Sequence, residues 1–395
     1  MKKLMILGGG PNQLPLIKAA KKNGYCVALC DYSEKAVGVA LADEFYRVSI
    51  MDKEAVLEAT RESKADGVIS NSEPAMPIAA YVGNALGLPS NAYDTVAAMG
   101  DKFRFRTLLK KNGFAVPSFG SAESYEEAKT LFESLNKPVM LKPAESSGSR
   151  GVVKLDTDEQ LRAAFYDAKH YSRNDKVILE EYIDNTCGHI VGGDIFVCDG
   201  KVVFWGLMSC IRNESFPLVP MGKAFPAILT EEQTALIKAD LSSAVEKLNI
   251  KFGAINVEAM INDYGDVCFI ELNPRNGGNC IPDVLKIATG FDIFNSTVRA
   301  AVEESVDIDN GEQCIPYITY QVSSKKSGIL KSVYFSDDAK THLEVYLPDV
   351  DIGEKVEQFT DAGKRIGIVF LKFDSVSDRN SFLDSIEDHI FAEVE

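Results

Sequence analysis

Apolar positions along this chain change rhythm several times, and the changes outline its elements. The short run Leu4 to Leu7 passes into Gly8, Gly9 and Gly10, a stretch of helical period spans Gln13 to Lys22, and a second strand-like run, Cys26 to Cys30, ends at Asp31. Val68 to Ser70 repeats the strand signal before Asn71, Ser72 and Glu73. Strands separated by helical stretches predict a parallel sheet, whose ligands approach the carboxyl ends of the strands. Asn71, Glu73 and the triple glycine fall there.

A second region begins around Val96, after the Leu88 to Tyr93 loop. Asp101 and Lys102 open a helix to Lys111, closed by Asn112 and Gly113. Lys137 to Pro143 reads as a strand carrying Lys142, and Val177 to Ile183 as another. Asp199 and Gly200 make a hairpin between Asp194 to Cys198 and Lys201 to Leu207. Antiparallel strands then dominate to Glu271, interrupted by a helix over Glu231 to Leu248. After Asp309 the runs Ile315 to Val322, Ser327 to Phe335 and Ile366 to Phe373 predict short strands, followed by a terminal helix from Ser377 to Phe391. The expected units are an N-terminal parallel α/β domain (1–95), a mixed α+β domain (96–308) and a C-terminal β-rich domain (309–395), as a chain of 395 residues exceeds what one core usually serves.

Composition narrows the chemistry. The 58 acidic and 42 basic side chains give a formal charge of -16, which opposes unspecific contact with nucleic acid or an anionic membrane. Without a long apolar run, leader or lipidation signal, the expectation is a soluble cytoplasmic protein. Eight cysteines without paired CxxC spacing read as reduced thiols rather than a zinc or disulfide framework.

Two distant stretches fit a magnesium site when read together. Glu271 and Asn273 alternate onto one face of the run Phe269 to Arg275, and Glu258, in Gly253 to Met260, joins them across the turn Asn262 to Gly265. Magnesium prefers such hard oxygen donors and shares its remaining positions between water and phosphates. Between Ala144 and Val152 lies a loop whose glycines Gly148 and Gly151, serines Ser146, Ser147 and Ser149, and Arg150 suit phosphate capture. A mobile surface turn explains that loop equally well. Lys142, flanked by Met140, Leu141 and Pro143, needs an anionic partner if its head is buried. The acids Glu180 and Glu181 end a strand whose backbone could read an adenine edge, or simply hold one buried and one solvated carboxylate. The glycine turn after Leu7 invites a dinucleotide reading, but the third glycine of GxGxxG would fall at Gln13, and a tight βα turn accounts for it. Glu73 is a site candidate or a loop acid.

Taken in order, Lys102, Lys142, the glycine and serine loop, Glu180 to Ile183, Glu258 and the ELNPR run resemble the ATP-grasp superfamily over nearly the whole chain. The likeness is closest to its carboxylate-amine ligase branch, which includes L-amino acid ligases and carbamoyl-phosphate-synthase-like proteins. It implies a nucleotide-fold-like domain before the grasp and a small domain after it. It also implies ATP and Mg2+ as cofactors, with Mn2+ as a substitute. Lys102 and Lys142 would hold phosphates under the loop containing Ser147, Gly148 and Ser149. Glu180, Glu181 and Ile183 would frame adenine, one of the acids reaching ribose. Glu258, Glu271 and Asn273 would bind metal, and Arg275 with Arg212 would meet substrate. The family's ribose glutamate is replaced here by Gly188 and His189; His189 resembles a histidine of biotin carboxylases, with a structural role as the plainer account, and Asp194 is a further ribose candidate. The resemblance implies a ligase joining a small carboxylate to an amine through an acyl phosphate, or else a bicarbonate-activating enzyme. A MgATP-binding regulator without turnover is the non-enzymatic reading. The partners implied are small molecules, with a homodimer expected from the family.

Overall fold

Four parallel strands open the chain. In the computed structural model, which describes every residue except 147, 186, 187, 189, 213–217 and 309–313, β1 (Lys3–Leu7), β2 (Cys26–Asp31), β3 (Glu44–Arg47) and β4 (Gly67–Ile69) stand in the order β3-β2-β1-β4. Helices α1 (Leu14–Lys22), α2 (Lys53–Ser63) and α3 (Met76–Leu86) complete this unit. The expected third strand is therefore the fourth. β3 escapes an apolar reading because its EFYR sequence is only half-buried at the sheet edge. Gln13 occupies the place of the third fingerprint glycine and is buried, its side-chain oxygen accepting the Asn71 N–H at 2.9 Å across the ends of β1 and β4. Asp31 accepts the Gly9 and Ser33 N–H groups, so its oxygens serve the turn.

Helix α4 (Tyr93–Met99) spans the 95/96 position, and α5 (Lys102–Lys111) follows, capped by Asp101, which accepts the Arg104 N–H at 2.9 Å. A small antiparallel sheet comes next: β5 (Phe119–Ala122), β6 (Val139–Pro143), β7 (Val153–Leu155) and β8 (Val177–Glu181), in the order β5-β8-β6-β7. Helices α6 (Tyr125–Ser134) and α7 (Asp158–Tyr171) cover one face, burying Phe132, Leu161 and Phe165 against Val139, Leu141 and Leu179.

The larger sheet holds β9 (Ile190–Cys198), β10 (Lys201–Ile211), β11 (Gly222–Phe225), β12 (Gly253–Ile261) and β13 (Val267–Asn273). Its core side packs on α8 (Glu231–Lys247) and α5, with Ile237, Leu241, Phe105 and Leu109 against Ile255, Val257 and Phe269. Two further helices, α9 (Ile281–Thr289) and α10 (Ile293–Ala300), lead back to the N-terminal unit, where Val298 and Val302 share a core with Leu4, Ile6 and Val27.

After the undescribed 309–313 come β14 (Tyr317–Val322), β15 (Gly328–Phe335), α11 (Asp337–His342), β16 (Leu343–Pro348), β17 (Lys355–Val356) and β18 (Gly367–Lys372). The chain closes with α12 (Val376–Leu383), α13 (Ile386–His389) and β19 (Ile390–Val394). β14, β18 and β16 extend the large sheet to eight strands, ordered β13-β12-β9-β10-β11-β14-β18-β16. The expected terminal helix is replaced by two short helices and a strand. Asp384 and Ser385 interrupt it, and Ile390, Ala392 and Val394 alternate to pair with β15. The described cysteines are free thiols, and no described helix is long and apolar enough to cross a membrane.

Candidate functional site

A cavity of about 1360 Å³ lies between the two antiparallel sheets and reaches the carboxyl ends of the N-terminal strands. Its acidic wall follows from strand pairing. β12 and β13 form an antiparallel hairpin in which Glu258 stands opposite Glu271 and Asn256 opposite Asn273. Opposed residues share a face, so both carboxylates enter the cavity together. The register slips beside them, Glu258 pairing with Glu271 but Ala259 with Phe269, which makes Ile270 the extra residue of a β-bulge. Asn273 behaves differently from expectation. It is buried and not part of the cavity wall, and its amide nitrogen donates to Glu271 at 3.2 Å, leaving its oxygen as the acceptor. Among the described residues no three His, Cys, Asp or Glu side chains gather as a metal cluster; the hairpin offers two acids and two amides, of which Asn256 lines the cavity.

Cations stand across from these acids. Lys102, at the start of α5, lies 3.5 Å from Glu271 and donates to the Ser146 carbonyl at 3.1 Å. Lys142 on β6 is buried and pairs with Glu180, as its surroundings required. Glu180 is 3% exposed and also receives Arg106, whose Nε donates at 2.9 Å. Burial alone would push this carboxyl up, but Arg106 and Lys142 hold it at about 2. Burial and the neighbouring Arg106 keep the Lys142 ammonium below the usual lysine range, because two cations share one carboxylate. For Glu271, burial raises and Lys102, Arg275 and Lys142 lower; the cations win, and the carboxyl stays below its ordinary value.

The loop after β6 sits over this floor. Gly148, Ser149 and Arg150 line the cavity; Ser147 lies outside the described residues. Gly151 has φ +68°, and a Cβ there would come within 3.0 Å of Ala168 and Tyr171, so only glycine fits. Ser146 Oγ is buried with no partner among the described residues, as an anion-binding hydroxyl would be. With the cations and the hard-oxygen pair, it makes a donor set that fits a magnesium nucleotide.

The strand expected to frame adenine is more committed than anticipated. Glu180 is spent on its cations, whereas Glu181, on the cavity wall, accepts from the Asn136 backbone at 3.0 Å and side chain at 2.8 Å through one oxygen alone. The N–H groups of Glu181 and Tyr182 go to the Ser118 and Pro138 carbonyls, which makes Ile183, on the cavity wall, the next amide available. His189 lies outside the described residues. Asp194 is fully buried and holds the Gly277 N–H and the Asn256 amide, each at 2.8 Å; it is no ribose ligand but a clamp on the loop after the ELNPR run. A Cβ on Gly277 would fall 2.6 Å from that carboxylate. Burial pushes the Asp194 carboxyl up to about 6.

Arg275 lines the cavity and pairs with Glu73, so the N-terminal parallel-sheet unit meets the segment after β13 at this end of the cavity. Arg212 also lines the wall, while the loop 213–217 beyond it is outside the described residues. Sequence reading missed Arg106 and gave Lys223 no role. Arg106 sits one turn after Lys102, an i,i+4 spacing that placed it on the same helix face. Lys223 is buried on β11, 2.8 Å from Cys210 Sγ and 3.7 Å from Glu258.

Residues 101–308, more than half the chain, match the family described as carbamoyl-phosphate synthase L chain, ATP binding domain. The chain is 27% identical over 318 residues to a carbamoyl phosphate synthase large chain of Thermotoga sp. (strain RQ2), covering 76% of this chain but only 28% of that protein. It is similarly 27% identical over 316 residues to the large chain of Neisseria meningitidis serogroup A, of which it covers 29%. Among solved structures, an L-amino acid ligase from Bacillus licheniformis superposes with a TM-score of 0.81 at 21% identity, covering 100% of this chain and 99% of that one. Phosphoribosylglycinamide synthetase from Anaerococcus prevotii superposes with a TM-score of 0.75 at 22% identity, with 100% of both chains covered. These likenesses bear on the fold.

Proposed function

The chain belongs to the ATP-grasp superfamily through the family of the carbamoyl-phosphate synthase L chain ATP binding domain, and from that premise we propose that it is an ADP-forming carboxylate-amine ligase. The observation that carries this reading is the meeting, in one cavity, of Glu258 and Glu271 with Lys102 and Lys142. Lys102, Lys142 and the loop Gly148 to Arg150 hold the phosphates; Met140, Ile183, Met260 and Ile270 supply the apolar walls a purine requires. Glu258 and Glu271 would hold Mg2+, with the buried Asn273 amide steadying Glu271 from behind the cavity wall. The ion supplies charge withdrawal from the phosphate oxygens.

Arg275 and Arg212 draw a small carboxylate, such as that of an amino acid, to the γ-phosphate and offset the repulsion between two anions. A carboxylate oxygen then bonds to phosphorus as ADP leaves, giving an acyl phosphate. An amine adds to its carbonyl carbon, orthophosphate departs, and the amine's proton passes to solvent. The phosphate loop keeps water out of the mixed anhydride. The volume of about 1360 Å³ exceeds that of a usual single-ligand pocket, roughly 300–1,000 Å³, and leaves room for both substrates. ADP and orthophosphate release, screened over pairs of amino acids, tests the reading; the failure of every carboxylate and amine mixture to yield ADP removes it.

A second reading follows from the relatives being carbamoyl phosphate synthase large chains: activation of bicarbonate instead of an organic carboxylate. The chain spans about 28% of their length, so it would perform only part of such a reaction. Bicarbonate-dependent ADP formation without added carboxylate favours it.

A further inference from the structure

Arg106 is a buried cation to which the reading above gives no part. It is 1% exposed, and burying a guanidinium is costly unless its donors are met. They are met from two directions. Nε and Nη2 donate to the Glu180 carboxylate at 2.9 and 3.4 Å, and Nη1 donates to the carbonyls of Phe269 and Ile270 at 3.1 and 3.0 Å.

Those two carbonyls belong to the β-bulge. Ile270 has no partner on β12, and β13 is the outermost strand of the large sheet; among the described residues its other side is met by an isolated bridge from Ala115 to Cys268, two residues before Ile270. A bulge re-aims the side chains beside it, and the next residue is Glu271. Arg106 thus ties three pieces together: α5, which carries Lys102; β8, whose Glu180 pairs with Lys142; and the kink that points Glu271 into the cavity.

We propose that Arg106 is a positioning residue that fixes the bulge of β13 and thereby the aim of Glu271, so that metal-dependent nucleotide binding depends on Arg106 through protein contacts alone. The inference rests on the reading of the cavity as a MgATP site. Groups that orient metal ligands from behind typically change metal affinity about 10- to 100-fold when replaced.

The test compares the wild-type chain with Arg106→Lys, which keeps a charge for Glu180 but cannot bridge a carboxylate and two carbonyls at once. Calorimetry measures the Kd of a non-hydrolysable ATP analogue with Mg2+ and with EDTA. The EDTA Kd divided by the Mg2+ Kd is expected to fall at least about tenfold in the variant, while the metal-free Kd moves less than about threefold. Hydrogen exchange is expected to quicken across residues 267–273 and to stay unchanged in β6. A variant that unfolds at lower urea yet keeps the wild-type ratio overturns the inference, since a merely structural role predicts that result. Should Arg106→Lys fail to fold, the Arg106 Nε–H of the wild-type chain is followed by NMR. Protection from solvent exchange with and without Mg2+ and analogue supports the proposal; a swing of the guanidinium onto the phosphates overturns it. A wild-type chain that binds no nucleotide in either condition overturns the MgATP reading itself, an outcome distinct from binding with an unchanged ratio.

Discussion

Replacing Glu180 by glutamine isolates the electrostatics of the cavity floor. The substitution conserves shape and removes one negative charge, leaving Arg106 and Lys142, both buried, with no carboxylate between them. Taking one partner from a buried ion pair costs roughly 3–5 kcal/mol. The titration of the group leads to a similar figure: a carboxyl held at about 2 against an ordinary 4.5 corresponds to about 3 kcal/mol at 1.36 kcal/mol per pH unit.

The variant has one route of relief, and it sets a sign. Lys142 is already pushed below the usual lysine range by burial, and without Glu180 it gives up its proton more readily. Between its folded and unfolded values the unfolded chain binds more protons, so stability rises with pH there. The deficit should therefore be about 3 kcal/mol near neutral pH and shrink in alkaline buffer. Urea unfolding followed by circular dichroism, wild type against Glu180→Gln at both pH values, reads it. A neutral-pH deficit below about 1 kcal/mol, the worth of an exposed pair, would refute the buried-triad account.

Other expectations are shorter. Glu271→Gln should abolish ATP turnover with the fold retained, as judged by ADP release and circular dichroism, because one of the two opposed carboxylates proposed for the metal loses its charge. Lys102→Met should weaken binding of the ATP analogue by about 10- to 150-fold in calorimetry, the worth of one charge-assisted hydrogen bond. Asp194, pushed up to about 6 from 3.8, holds its proton more tightly in the folded chain, so stability gains as pH falls between those values. Glu180 works oppositely: its contribution is present above 4.5 and lost as pH falls towards 2. Asp194→Asn should flatten the unfolding profile between about pH 6 and 4 without touching the steep loss below it.

Much of the architecture was legible because local pattern and tertiary demand agree. The cap Asp101, the helix it starts, the hairpin at Asp199 and Gly200 and the alternation that aims Glu258 and Glu271 are each specified within a few residues. Elements failed where local signal was weak. β3 is a polar edge strand, and the C-terminal segment has helical composition in pieces too short to continue through Asp384 and Ser385.

The same distinction explains which site residues were readable. Lys102, Lys142, Glu258, Glu271 and Arg275 sit in short runs whose own letters carry a chemical reason, so a motif exposes them. Their partners come from far away: Arg106 meets Glu180 across 74 residues, and Glu73 meets Arg275 across 202. No periodicity links such positions; only the packing of α5 on β13 and of the N-terminal sheet on the cavity brings them into contact. Each partner also changes what its motif residue can do. Glu180 is a counter-ion rather than a ribose ligand because Arg106 reaches it, and Asp194 is a clamp because Gly277 leaves room for its carboxylate. A motif names the groups that can react, whereas the long-range pairs decide their charge and direction. Variation in activity among chains with these same motif residues is therefore expected at positions such as 73, 106 and 194.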